Sequence, residues 1–431
     1  MPELLCVAAI VLTVRLSLRR FGDVFTPMAI YVTIWCSAIL LFLVRIINYI
    51  QIKDETAMLI AGSIVAYVLG CLVCPEPAQR PGRRDTVSQE VLDRALKFLI
   101  AIQFMAFLVF VYRMGTQFGL ATYLTDPSAI RREADQWMKM GILGIPLFLH
   151  YPILILSFYS RLRTHRWRWF MVAGMTIPFV QELLWTGRGT FALFGVTLLS
   201  MWIYFHGWRR INRRLVITTL LIVVIGISGF LVLGTVYGKV ISEDLGVYNM
   251  ADFNVSSSTM LLLAYPYMYV TAPLATFQEA MADVHYYSNG TRTFYPAARM
   301  SMALGLVHDL PEWTSFDFYF VPVPNNTYTH LFTFYQDFGE PGVIALPFLL
   351  GLFHTYLYWQ MRMNPSVWST AAAAISIGTV CFSVLICLTS TLLIWEAYAV
   401  LYLVWRYACA TSHVNAAVDI AIGGRGSVAS A

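Results

Sequence analysis

The chain has 431 residues, of which 58% are hydrophobic, 15% aromatic and only 12% charged, with a formal net charge of +5 and a mean hydropathy of +0.65. That composition excludes a soluble globular domain of this length and points to an integral membrane protein. Apolar runs of about the 17 to 25 residues a helix needs to cross hydrocarbon recur along the chain, without the alternating segments of a barrel, and helices satisfy every backbone group in lipid.

The expected spans, in chain order, cover residues 2–18, 27–49, 57–74, 95–112, 141–160, 169–186, 190–207, 215–236, 341–360, 367–388 and 391–408. The expected fold class is an all-α integral membrane protein, a single multi-span domain of about eleven transmembrane helices with one large and one smaller external loop. Basic residues choose the orientation. Arg15, Arg19 and Arg20 close the first span, Arg80, Arg83 and Arg84 follow the third, Arg161 to Arg168 the fifth, and Arg209 to Arg214 the seventh. All fall on one side, which the positive-inside rule makes cytoplasmic, so the amino terminus is expected outside and the carboxyl terminus inside. The first span is short and carries Arg15, which gives it the look of a signal peptide, but no small-residue cleavage site follows it and it is expected to be a retained anchor.

Two external loops are expected, a smaller one at 113–140 and a larger one at 237–340. The larger holds ten acids against three bases, Lys239, Arg292 and Arg299, which excludes a nucleic-acid surface. Within it, residues 260–276 are interrupted by Pro266 and Pro273 and are rich in tyrosine, the pattern of a re-entrant or interfacial helix. All seven cysteines lie in or beside apolar spans, so no external disulfide framework is available. Cys71 and Cys74 form a CxxC inside a membrane helix with no accompanying histidine or second pair, and neither a metal nor a cofactor is expected.

Arg188 stands in Thr-Gly-Arg-Gly-Thr, a short turn between spans six and seven with glycine on both sides. A fixed guanidinium at headgroup depth suits a phosphate or diphosphate, and it equally suits an arginine snorkelling to lipid phosphates. Glu182, inside span six, offers that arginine a counter-ion. Arg131 and Arg132 form a second basic pair, in the smaller loop, on the side where arginines are disfavoured. Glu133 and Asp135 beside them fit a divalent cation or an ordinary solvated helix. Arg292 and Arg299 flank Thr-Phe-Tyr-Pro-Ala in the large loop. Asp337, His330, Glu279, Asp283 and His285 are the external candidates for a general base. Asn-x-Ser/Thr triplets at Asn254, Asn289 and Asn325 also permit a glycoprotein, although such triplets are common by chance.

The stretch from Asn325 to Gly342, with Asn325, Asn326, Thr329, Tyr335 and the run Asp337-Phe338-Gly339-x-x-Gly342, resembles the signature of bacterial oligosaccharide repeat-unit polymerases, the Wzy-type O-antigen polymerases. The Gly-Arg turn around Arg188, the span count and the two external loops are similar to that family as well. The resemblance implies an enzyme of the bacterial cytoplasmic membrane that polymerises polyprenyl-diphosphate-linked glycan repeat units in the making of O-antigen, capsule or exopolysaccharide. It further implies a chain-length regulator and a flippase as partners, besides the bilayer. A terminal sugar hydroxyl of one unit would attack the anomeric carbon of another, and polyprenyl diphosphate would leave. Charge builds on that diphosphate in the transition state, where preorganised guanidinium groups act most. Arg188 and Arg299 are expected in that role with Arg131, Arg132 and Arg292 beside them, Asp337 as base or as the residue that fixes an arginine, and Asn325, Thr329, His330 and Tyr335 on the acceptor sugar. An O-antigen-type ligase shares donor and leaving group, and a transporter of polysaccharide or lipid-linked sugar is the alternative from another class.

Overall fold

The structure, a computed structural model, describes residues 2–77, 87–119, 141–184, 189–207, 258–308, 310, 317–322 and 324–423. Among these, twelve α-helices follow in chain order: α1 Pro2–Phe21, α2 Pro27–Val44, α3 Asp54–Val73, α4 Gln89–Phe118, α5 His150–Thr164, α6 Trp169–Leu184, α7 Gly189–His206, α8 Ser258–Ala282, α9 Tyr295–Ala303, α10 His330–Met363, α11 Val367–Phe382 and α12 Leu392–Gly423. A 3-10 helix, Gly141–Leu149, leads into α5, and a two-residue antiparallel ladder pairs β1 (Tyr319–Phe320) with β2 (Pro324–Asn325). Among the described residues, seven segments are long and apolar enough to cross a membrane: Pro27–Val44, Asp54–Val73, Gln89–Phe118, Gly144–Thr164, Gly189–His206, His330–Met363 and Leu392–Thr411. Helical structure overlaps every expected span except 215–236, which lies outside the described residues, as do residues 120–140 and 237–257 of the two expected loops.

Two large apolar clusters make up most of the interior among the described residues. One joins α4, α5, α6 and α7 to α11 and α12 around Tyr151, Phe194 and Ile375; the other joins α2, α3, α8 and α10 around Trp35, Tyr67 and Tyr358. Side chains such as Leu12, Met58, Met105 and Leu403 are exposed and apolar, as a surface solvated by lipid requires. With no hydrophobic force between helices in hydrocarbon, close backbone approach holds them together. A Cβ on Gly70 would sit 2.0 Å from the Phe348 carbonyl oxygen, and one on Gly351 would sit 2.2 Å from that of Tyr67, so α3 and α10 touch backbone to backbone.

Arginines gather the helix ends on one side, called here the basic end. Arg20 donates to the Cys74 carbonyl at 2.8 Å, and Arg362 donates to the Phe21 carbonyl at 2.7 Å. At the opposite end α8 crosses the α2–α3 connection: the Tyr267 hydroxyl donates to Leu41 O at 2.8 Å, and Gln278 Oε1 accepts from the Lys53 N–H at 2.6 Å. The segment expected at 260–276 is thus part of a longer helix that runs through both prolines and packs on the loop end of the bundle.

The element that shapes the loop end is α10, which is two helical limbs. Gly339 has φ 65° and ψ −154°, a combination essentially confined to glycine. Residues 330–338 form the first limb and 340–363 the second, which starts with Pro341 in its first turn, where the missing N–H costs nothing. The limbs fold back on each other. A Cβ on Gly342 would lie 2.6 Å from the Phe334 carbonyl oxygen, whereas eight residues of straight helix would separate those positions by about 12 Å.

Candidate functional site

Where the first limb ends, its last carbonyls and one carboxylate are taken by the segment 288–293. The N–H groups of Ser288 and Asn289 donate to the carbonyls of Gln336 and Asp337 at 2.9 and 3.2 Å, supplying the partners that a helix C-terminus lacks. The Asp337 side chain does the rest. Its Oδ1 accepts from the Ser288 hydroxyl and from the Arg292 N–H at 3.2 Å, and its Oδ2 accepts from the Thr293 N–H at 2.6 Å. At 1% exposure and with both oxygens engaged, this carboxylate is a clamp on the loop that carries Arg292. It fixes that arginine through its backbone, and it has no open approach for a sugar hydroxyl.

The next residues of the motif complete the clamp. Phe338 packs over Gly290, which has φ +89° and would bring a Cβ to 3.2 Å from the Phe338 ring. Gly339 leaves room for Tyr287, whose hydroxyl would be 2.8 Å from an added Cβ. Tyr335 meets Tyr287 edge to face, with ring centroids 6.2 Å apart. Arg292 is half-buried and Arg299 is exposed on α9, so the clamp presents one arginine from a held turn and the next from the short helix that follows.

Glu279, Asp283 and His285 lie on the chain leading into this loop, Glu279 half-buried and the other two exposed. Asp283 hydrogen-bonds Tyr319, and burial followed by that contact holds the Tyr319 hydroxyl above the usual phenol pKa, so it remains a donor.

At the other end of the first limb lies a second polar place. His330 is 4% exposed; its backbone N–H donates to the Ser383 carbonyl at 2.8 Å, and its ring Nε2 pairs with the Tyr31 hydroxyl at 3.1 Å. Thr329 stands at the N-cap position of this limb in an extended conformation, its buried hydroxyl making no capping hydrogen bond. Asn325 is buried too, donating to Thr276 Oγ1 at 2.7 Å and to the Thr327 carbonyl at 2.8 Å, which leaves its amide closed to glycosylation in the folded chain. The motif therefore serves two places about 12 Å apart along the first limb: Tyr335 and Asp337 at the clamp, Thr329 and His330 inside the bundle. Arg188, Arg131, Arg132, Glu133 and Asp135 lie outside the described residues.

Comparison with protein-family models, characterised proteins and solved structures returned no match.

Sequence reasoning missed the partners of the buried groups. Glu182 pairs with His150 Nε2 at 3.1 Å, both nearly sealed from solvent, and Gln181 Nε2 reaches His150 Nδ1 at 3.3 Å while its own amide oxygen accepts from Gln103. A polar knot of α4, α5 and α6 thus surrounds the acid that had suggested a counter-ion for Arg188. An acid inside an apolar run signals a buried partner, but nothing in the sequence says which helix supplies it. His354, on the second limb of α10, pairs with the Tyr67 hydroxyl at 2.9 Å, and no local pattern marks it.

Proposed function

We propose that this protein polymerises polyprenyl-diphosphate-linked oligosaccharide repeat units at the outer face of the bacterial cytoplasmic membrane. The observation that carries the reading is the clamp: the second half of the stretch on which the resemblance to repeat-unit polymerases rests, Asp337-Phe338-Gly339, holds the Arg292 loop at the end of the bundle opposite the basic end. The positive-inside rule makes the basic end cytoplasmic, so the clamp faces the side where lipid-linked units are joined.

In this reading Arg292 and Arg299, with Arg188, Arg131 and Arg132, receive the diphosphate as the bond to the anomeric carbon breaks. Guanidinium groups suit the task because they are always charged and bind phosphate oxygens in pairs. Asp337 is a positioning residue that keeps Arg292 in place. The proton of the attacking hydroxyl passes to one of the accessible groups, Glu279, Asp283 or His285, and Tyr335 and Tyr287 offer ring faces to the acceptor sugar. Cells carrying Arg299→Ala or Arg188→Ala should accumulate single lipid-linked units at normal protein levels. Polymer of unchanged length in both would end the proposal.

The break in α10 favours one further reading, a transporter of lipid-linked sugar, because interrupted helices commonly build transport sites. Units that cross the bilayer but are never joined would support it.

A further inference from the structure

The break in α10 aligns a set of polar side chains that the proposed transfer does not use. The segment that leads into the first limb carries Asn325, Thr327 and Thr329. Thr327 donates to Asn325 Oδ1 at 2.8 Å, and the Thr329 hydroxyl is buried with no hydrogen-bond partner among the described residues. His330 follows, paired with Tyr31, which stacks on Tyr67 with ring centroids 3.8 Å apart. Tyr67 is paired with His354, whose Nε2 lies 3.3 Å from Thr379 Oγ1.

Both tyrosine–histidine pairs open on one small cavity, lined also by Thr379 and Ser383, whose water-accessible space of about 10 Å³ is that of a single water. They meet there because α10 folds back: a straight helix would hold His330 and His354 about 36 Å apart. Beyond His354 the second limb carries Tyr358 and Arg362 at four-residue steps, hence on one face. The Tyr358 hydroxyl donates to Asp23 Oδ2 at 2.9 Å and accepts from Arg362 at 2.8 Å, at the basic end.

The groups between Asn325 and Asp23 are hydroxyls, phenols and imidazoles, with no carboxylate among them. That set holds a metal cation such as sodium or calcium poorly, because such ions need carboxylate or carbonyl oxygens. It suits a proton. An imidazole takes a proton on one ring nitrogen and releases one from the other, and a hydroxyl donates while it accepts. Ionisable side chains inside a membrane are costly enough to mark a function by default, and the small cavity, which brings Tyr31, Tyr67, His330, His354, Thr379 and Ser383 to one space, offers a single water several polar partners.

We propose that this file carries protons through the bundle, with His330 and His354 as relay stations and a single water in the cavity bridging the two pairs. At each step one O–H or N–H bond breaks as the next forms, and the groups return to their starting state by turning over. The net change is the movement of one proton, with no oxidant, reductant or further reactant.

The test uses the purified full-length protein in liposomes that contain a pH-sensitive dye, with a potassium gradient and valinomycin to drive protons and with no glycan present. Wild type is expected to move protons faster than protein-free liposomes. Tyr67→Phe and His354→Gln are expected to fall to the protein-free rate, and Leu403→Ala, on the lipid-facing surface, to keep the wild-type rate. Tyr67→Phe removes a single oxygen, and it carries the test if His354→Gln does not fold. A wild-type rate equal to that of protein-free liposomes, or a Tyr67→Phe rate equal to wild type, overturns the proposal. Glycan transfer is assayed separately, so failure of the polymerase reading leaves this inference intact.

Discussion

Asp337 illustrates how a residue chosen for chemistry can act through structure. Its carboxylate closes three hydrogen bonds across the helix break, two of them to backbone N–H groups of the loop it holds. Removing it leaves buried donors unsatisfied, and Asp337→Ala should destabilise the protein by about 2–4 kcal/mol. Amide exchange across residues 286–294 should rise in the same variant, and Asp337→Asn, which keeps one acceptor oxygen, should restore part of the protection. An Asp337→Ala protein with unchanged exchange and melting but no transfer activity would make the residue a base after all. The His150–Glu182 pair makes a second prediction at this scale. Breaking a buried pair strands its partner, so Glu182→Ala should cost about 3–5 kcal/mol, and adding His150→Leu should cost much less than it does alone. Additive effects in a denaturation series would show that the two do not interact.

Among the elements, α10 holds the largest difference between sequence and structure. The expected span beginning at residue 341 coincides with the second limb, because Pro341 after an acidic, glycine-containing run is a readable helix start. The first limb was not legible. Its residues 330–338 read as a polar approach to the membrane, and what makes them a returning helix is the glycine-only backbone at Gly339, together with room for Tyr287 and for the Phe334 carbonyl. Those depend on contacts from elsewhere in the chain. Gly339→Ala should therefore lose about 1–3 kcal/mol from backbone strain alone. Pairing it with Tyr287→Ala should recover only the part due to overlap. A stable, fully active Gly339→Ala protein would mean that the limbs need not fold back. The sequence likewise marked Pro266 and Pro273 as interruptions, yet α8 continues through both, anchored by Tyr267 and Gln278 to the loop end of α2 and α3.

For the whole molecule, the all-helical membrane class followed from composition and apolar length, quantities that need no long-range information, and seven apolar helices among the described residues are compatible with it. The pairing of helices across the two clusters did not follow, since every face is apolar and close approach depends on scattered glycines such as Gly70 and Gly351. The positive-inside orientation makes a direct prediction. Tyr286, 82% exposed beside the clamp, should as Tyr286→Cys react with a membrane-impermeant maleimide on intact cells, whereas Trp167→Cys should react only after the membrane is opened. The seven native cysteines are buried or half-buried, which keeps the background low.

The central claim, transfer of lipid-linked glycan at the clamped arginine loop, is tested most directly by giving purified protein a polyprenyl-diphosphate-linked repeat unit and resolving the products by size. A ladder of lengthening glycans with release of polyprenyl diphosphate is the predicted result, lost in Arg292→Ala and Arg299→Ala proteins that fold normally. A donor that stays unextended with active, folded wild-type protein, or a ladder unchanged in both variants, would contradict it.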